Sequence, residues 1–136
     1  MSDRFPLHPD VDWYEHLVAR HSDAVPPLEH LQIRRGLQRV AEDLFHDLDI
    51  ADRFHACRVL GIVTHAPGLV VIDARFSATT TRSDKHMCNR VLERIQERLC
   101  EACEHCGRAA TVLVDKRGDP IRLLCRECYD GWRDDD

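Results

Sequence analysis

An α+β fold is predicted by three features of the sequence. Two stretches carry apolar residues at helical spacing, two adjacent β-branched runs flank a Pro-Gly turn, and two Cys-x2-Cys pairs sit near the C-terminus. The expected architecture is a β-hairpin or small antiparallel sheet packed on two long helices and one short helix. A C-terminal four-cysteine finger of zinc-ribbon or treble-clef-like shape completes it. The predicted division is a helical α+β domain over residues 1–99, a finger over 100–133 and an acidic tail over 134–136.

Residues 10–21 read as a short helix that Asp10 or Asp12 can cap. Val11, Tyr14 and Val18 share its apolar face, with Trp13 and Leu17 beside them. Asp12, Glu15, His16 and His21 are read as a solvated face rather than a metal cluster. Pro26-Pro27 makes a rigid joint. A long helix is then expected over 27–48, because Leu28, Leu31, Leu37, Val40, Ala41, Leu44, Phe45 and Leu48 follow the i, i+3, i+4 rule. Arg34, Arg35 and Arg39 fall on its outer face as surface charges, neutralised locally by Glu42 and Asp43. Asp47, Asp49 and Asp52 read as turn chemistry at the helix exit.

Cys57–Thr64 and Leu69–Phe76 are β-branched runs joined by His65-Ala-Pro67-Gly68, which predicts a hairpin. Val70, Ile72, Ala74 and Phe76 alternate with Val71, Asp73 and Arg75, so one face is apolar. A lone hairpin is marginal in water, and this face must pack on the helices. Ser83 is the expected cap of a last long helix, 84–101, with Met87, Val91, Leu92, Ile95 and Leu99 as its core stripe. Its pairs Arg90–Glu93, Arg94–Glu97 and Arg98–Glu101 have opposite sign at i, i+3. Cys57 and Cys88 read as buried small residues.

Cys103 and Cys106, then Cys125 and Cys128, form the two Cys-x2-Cys pairs. Thiolates two residues apart converge on one ion when the chain between them makes a tight knuckle, and four sulfurs close a tetrahedral shell. Gly107 suits the first knuckle because glycine tolerates a positive φ. Thr111–Val114 and Ile121–Leu124, around the turn-rich segment 115–120, predict a connecting hairpin. Tyr129–Arg133 adds one helical turn. Structural Zn2+ on Cys103, Cys106, Cys125 and Cys128 is the expected cofactor. Cys100 lies three residues before Cys103, which leaves a Cys100/Cys103 pair as the alternative. His105, inside the knuckle, is expected to point into solvent. Two disulfides are the competing use of the thiols.

The chain has 136 residues, 43% hydrophobic and 32% charged, with net charge −5, as a folded domain of ordinary composition has. No apolar run approaches the ~20 residues of a membrane helix, and the N-terminus lacks the apolar core of a signal peptide. A cytoplasmic location, where thiols stay reduced, is therefore expected. Residues 1–49 hold 5 basic and 10 acidic side chains, and residues 103–136 hold 6 and 8. Such a balance is poorly suited to polyanions. Arg75, Arg82 and Lys85 make the one local basic concentration and support the alternative of a nucleic-acid-binding regulator. Lys116 and Arg117 could add to it from the fingertip.

No phosphate-binding glycine loop or catalytic triad is present in the sequence. His55 beside Cys57 and His86 beside Cys88 are neighbours in sequence only. A crevice grouping His55, Asp73 and His86 would mark an enzyme. The function expected is non-enzymatic: a zinc-binding regulator or inhibitor that docks on a protein partner.

Leu99-Cys100-Glu-Ala-Cys103-Glu-His-Cys106-Gly107 together with Leu123-Leu-Cys125-Arg-Glu-Cys128 resembles the C-terminal finger of the DksA/TraR group of RNA-polymerase-binding regulators. A helix entering the first pair and Leu-Cys-x-x-Cys at the second are shared. The resemblance covers the finger alone, since a β-hairpin stands where that group has a long helical hairpin. The order of helix, β-hairpin, helix and terminal finger also looks like small proteins of phages and plasmids, which implies an origin more than an activity.

Overall fold

A computed structural model describes residues 7–52, 55–110, 112–114 and 122–134. Helix α1 spans Val11–His21. Asp10 occupies its cap position with extended backbone, but its side chain makes no capping hydrogen bond. The buried residue of α1 is Leu17, with Trp13 and Tyr14 packed beside it. Val11 is 54% exposed, so the inward face is centred on Leu17 rather than on the expected Val11 stripe.

The segment expected to be one helix over 27–48 is divided. Leu28–His30 forms a single 3-10 turn, strand β1 covers Leu31–Gln32, and a second 3-10 turn covers Arg35–Leu37. Helix α2 begins only at Gln38 and runs to Ala51. Leu31 and Ile33 are fully buried and Gln32 between them is exposed, a period of two written inside a helix-like pattern. The parallel pairing of Leu31 with Ile62 and of Gln32 with Val63 places this short strand beside residues 62–63 of the sheet.

Strands β2 (Cys57–Ala66) and β3 (Leu69–Phe76) form the predicted antiparallel hairpin. With β1 they make a three-stranded mixed sheet of order β1-β2-β3. Asp52 holds the start of β2, its two carboxylate oxygens accepting from the backbone N–H groups of Ala56 and Cys57 at 2.9 Å each.

Helix α3 spans Arg82–Glu101 and is capped by Thr81, whose hydroxyl accepts from the Asp84 N–H. The start thus lies two residues before the expected Ser83. Cys88, Val91, Ile95 and Leu99 face the core, whereas Met87 is 48% exposed. Val91, Ile95 and Leu99 lie on the expected stripe, Leu92 packs beside it and Cys88 is buried as expected; Met87 alone of the expected residues turns outward. Arg94 and Arg98 do not turn to their helical neighbours Glu97 and Glu101. They cross to α2 and pair with Asp47 at 2.7 Å and Asp43 at 2.8 Å, which ties the two long helices antiparallel. One core joins α1, α2, α3 and the sheet around Leu37, Leu44, Ile62 and Ile95.

The last third holds a two-stranded antiparallel sheet, β4 (Val112–Val114) with β5 (Arg122–Leu124). Helix α4, Arg126–Asp134, is longer than the single turn expected from Tyr129. The expected hairpin turn at 115–120, with Thr111 and Ile121, lies outside the described residues, as do the last two residues of the acidic tail. No described helix is long and apolar enough to cross a membrane.

Candidate metal centre

Helix α3 delivers the first knuckle and β5 the second. Beyond Glu101 the chain turns back on itself: the Cys103 N–H donates to the Arg108 carbonyl at 2.6 Å and the Gly107 N–H to the Cys103 carbonyl at 2.9 Å. Gly107 has φ +84°, the left-handed conformation that side chains other than glycine adopt at a cost. The second pair opens α4, with the Tyr129 N–H donating to the Cys125 carbonyl at 3.0 Å. Leu124, 1% exposed, packs with Cys103 and Cys125 beneath the site, and Ala110 and Tyr129 close its sides.

The sulfurs of Cys103, Cys106, Cys125 and Cys128 all lie within 4.8 Å of one another. Cys106 Sγ is 3.6 Å from Cys125 Sγ. A tetrahedral ion with metal–sulfur bonds of ~2.3 Å would hold its sulfurs ~3.8 Å apart, so the donor set fits such an ion. Disulfide bonding, which needs sulfurs ~2.05 Å apart, does not describe these free thiols. The knuckle also points the His105 N–H at Cys103 Sγ, 3.4 Å away.

Cys100 stands apart from this group. Its Sγ donates to the Val70 carbonyl at 3.3 Å, pinning α3 to β3, and its partly buried side chain packs on the main core. The first pair at the cluster is therefore Cys103 with Cys106. His105 is exposed as expected, yet its Nδ1 lies 3.4 Å from Cys128 Sγ, at the rim of the cluster rather than in it.

The thiols of the cluster differ in acidity. Burial pushes Cys106 up. Burial also pushes Cys128 up, reinforced by the sulfurs of Cys125 and Cys106. Cys125 is lowered: burial opposes its ionisation, but the backbone N–H of Cys128 and the thiols of Cys128, Cys106 and Cys103 outweigh it.

The finger is seated on the main domain by a residue the sequence did not single out. Glu104, 3% exposed, lies inside the first knuckle. Its Oε2 receives the guanidinium of Arg34, and its Oε1 accepts from the Leu123 N–H at 2.9 Å. Its backbone N–H donates to the Leu123 carbonyl at 2.8 Å, and its own carbonyl accepts from the Gly36 N–H at 3.1 Å. Arg34, expected on the surface, is 7% exposed. A buried guanidinium needs such a charged, hydrogen-bonded partner. Gly36 makes the approach possible: a Cβ there would run into the Glu104 carbonyl carbon and the Cys103 carbonyl oxygen. The glycine within an expected helix was the one available signal of this contact.

The other candidate residues are scattered. His55, Asp73 and His86 are each exposed. The groove that Asp73 borders, ≈ 550 Å³, is walled by Val25, Pro27, Arg58 and Val63 and includes neither histidine. Asp12, Glu15 and His16 are likewise exposed. Arg75, Arg82 and Lys85 are exposed, with Lys85 Nζ 5.4 Å above the Phe76 ring, and the register places Arg58 opposite Arg75. Burial pushes the Cys57 thiol up to about 12, helped by Cys88 and Asp52. Burial raises Cys88 as well, with Asp52 adding to it. Both stay neutral, the reverse of what activates a nucleophile.

Set against protein-family models, curated proteins and solved structures, the chain matches none. The likeness to the DksA/TraR finger therefore rests on the spacing of the cysteines and their convergence.

Proposed function

We propose that this protein is a non-enzymatic, cytoplasmic zinc protein that docks on another protein as a regulator or inhibitor. Zn2+ on Cys103, Cys106, Cys125 and Cys128 is structural, since four thiolates leave no open position for substrate. It supplies the fastening that three short elements with few buried side chains cannot supply for themselves. The observation that carries the docking reading is the seating of the finger. Arg34, Gly36 and Glu104 join it to the main domain through buried contacts, so a metal-ordered finger and the helices form one continuous surface of fixed shape.

Elemental analysis tests the metal and is expected to give one zinc per chain. Tagged full-length protein with its metal intact, used to capture partners from a lysate of the native host, tests the docking. A stoichiometric protein partner released when zinc is chelated is the expected result. Absence of zinc, or capture of nothing above an untagged control, would overturn the reading.

A second reading, nucleic-acid binding, is favoured by Arg58 lying across from Arg75 in the sheet, which enlarges the basic patch. A salt-sensitive gel shift would support it, and no shift at low salt would remove it.

A further inference from the structure

A groove of ≈ 660 Å³ runs between α1 and α2, with Leu17 on its floor and Arg20 and His46 among its walls. Past Trp13 and Glu42, which line both, it continues into a second hollow of ≈ 340 Å³ that passes Arg39 and ends at Cys106 in the first knuckle. The charges along it are unevenly engaged. Glu42 accepts from the Trp13 indole N–H at 2.8 Å. Asp43 is drawn across to Arg98. Of the two carboxylates that the sequence sets beside Arg39 as its neutralisers, Asp43 is thus committed outside the groove, whereas Glu42 keeps its charge on the wall that the two hollows share. Arg39 and Arg20 are exposed, and among the described residues neither has an ion-pair partner. Over the two hollows Arg20, Arg35 and Arg39 outnumber Glu42 and Asp43 by one positive charge, within a chain of net charge −5. Its floor is apolar, with Leu17 2% exposed and Trp13 half-buried.

We infer that this groove takes an acidic, partly apolar peptide segment of a partner protein, with Arg20 and Arg39 receiving its carboxylates. The assignment rests on the docking reading above and names the face that docks. Guanidinium forks bind carboxylates bidentately, and Leu17 with the Trp13 ring offers an apolar seat between them. A long nucleic acid would meet repulsion from the net negative chain, whereas a short acidic segment meets mainly the local surplus.

The test is an NMR titration of the zinc-loaded full chain with a blocked Glu-Glu-Leu-Glu-Glu-Leu hexapeptide and its Gln-for-Glu counterpart. Shifts confined to α1, α2 and residues 35–39, with at least tenfold weaker binding of the Gln peptide, are expected. Arg20→Glu combined with Arg39→Glu should weaken the Glu peptide at least tenfold while amide dispersion stays native. Arg39→Gln alone is the milder check should the double variant unfold. Equal affinity for both peptides, shifts mapping elsewhere, or an oligonucleotide binding tenfold tighter at the same residues would overturn the assignment. If a captured partner is neither displaced by the Glu peptide nor lost with Arg39→Gln, the groove assignment fails and docking stands. If the peptide binds as expected but no partner is captured, the docking reading fails and the groove stands.

Discussion

The main domain and the finger solve the same problem with different materials. Around α2, α3 and the sheet, a broad set of buried aliphatic side chains excludes water, and sequence-distant pieces are held by area. In the finger, the described core is Cys103, Leu124 and Cys125, and two of those three are metal-ligand types. Loss of one methyl-bearing side chain is thus a graded injury on one side, and loss of one sulfur a near-total one on the other. Between them lies the Arg34–Glu104 contact, which belongs to neither material.

That contrast can be broken most severely by removing the zinc proposed for the four-cysteine cluster. Structural zinc in small modules contributes on the order of 10 kcal/mol. Chelation, or Cys125→Ser, is expected to collapse amide dispersion for residues 103–134 while residues 38–99 keep theirs, as read by NMR. Loss of dispersion throughout would show that the aliphatic core leans on the ion as well. Next in size is Arg34→Ala, which strands the Glu104 carboxylate in a buried site. Breaking a buried pair costs about 3–5 kcal/mol, to be measured by denaturant unfolding of the zinc-loaded protein. A loss confined to the finger's own transition would place Glu104 wholly on that side.

Leu44→Ala, at a fully buried position of α2, is expected to cost about 3–4 kcal/mol without altering zinc content. Zinc loss in that variant would contradict the separation of the two materials. The Thr64 hydroxyl is buried and has no hydrogen-bond partner among the described residues. Thr64→Val is accordingly expected to be neutral or to stabilise by up to about 1 kcal/mol. The smallest effect belongs to the exposed Asp43–Arg98 pair. Asp43→Asn should change stability by under about 1 kcal/mol, and less still in high salt.

The elements with a single, strong local signal were legible in the sequence. The Pro67-Gly68 hairpin, α1, the body of α3 and the two cysteine pairs follow from residue types a few positions apart. What was not legible depended on partners far along the chain. Leu28, Leu31, Leu37 and Val40 satisfy helical spacing, while Leu31 and Ile33 also satisfy strand spacing. Only the presence of Ile62 beside them decides between the two. The start of α3 has the same origin, since Thr81 and Ser83 are both competent caps and tertiary packing chooses Thr81. Glu104 carries no motif of its own. Its role exists because Arg34 and Leu123 arrive at opposite ends of one carboxylate. At the cluster, spacing named the four cysteines but left Cys100 as a rival. The Val70 carbonyl that engages Cys100 is 30 residues away in sequence.

The glycine at position 36 bears on how this molecule could be re-engineered. Its bare α-carbon lets two peptide planes from remote stretches lie flush, so the socket is written partly in residues 34–36 and partly in residues 103–107. A cassette carrying only the cysteine-bearing segment into a foreign scaffold would bring its four thiols along and leave its socket behind. A domain cut short at residue 99 would in turn lose the carboxylate that pairs with its buried guanidinium. Neither half is a portable module, and any graft must carry both.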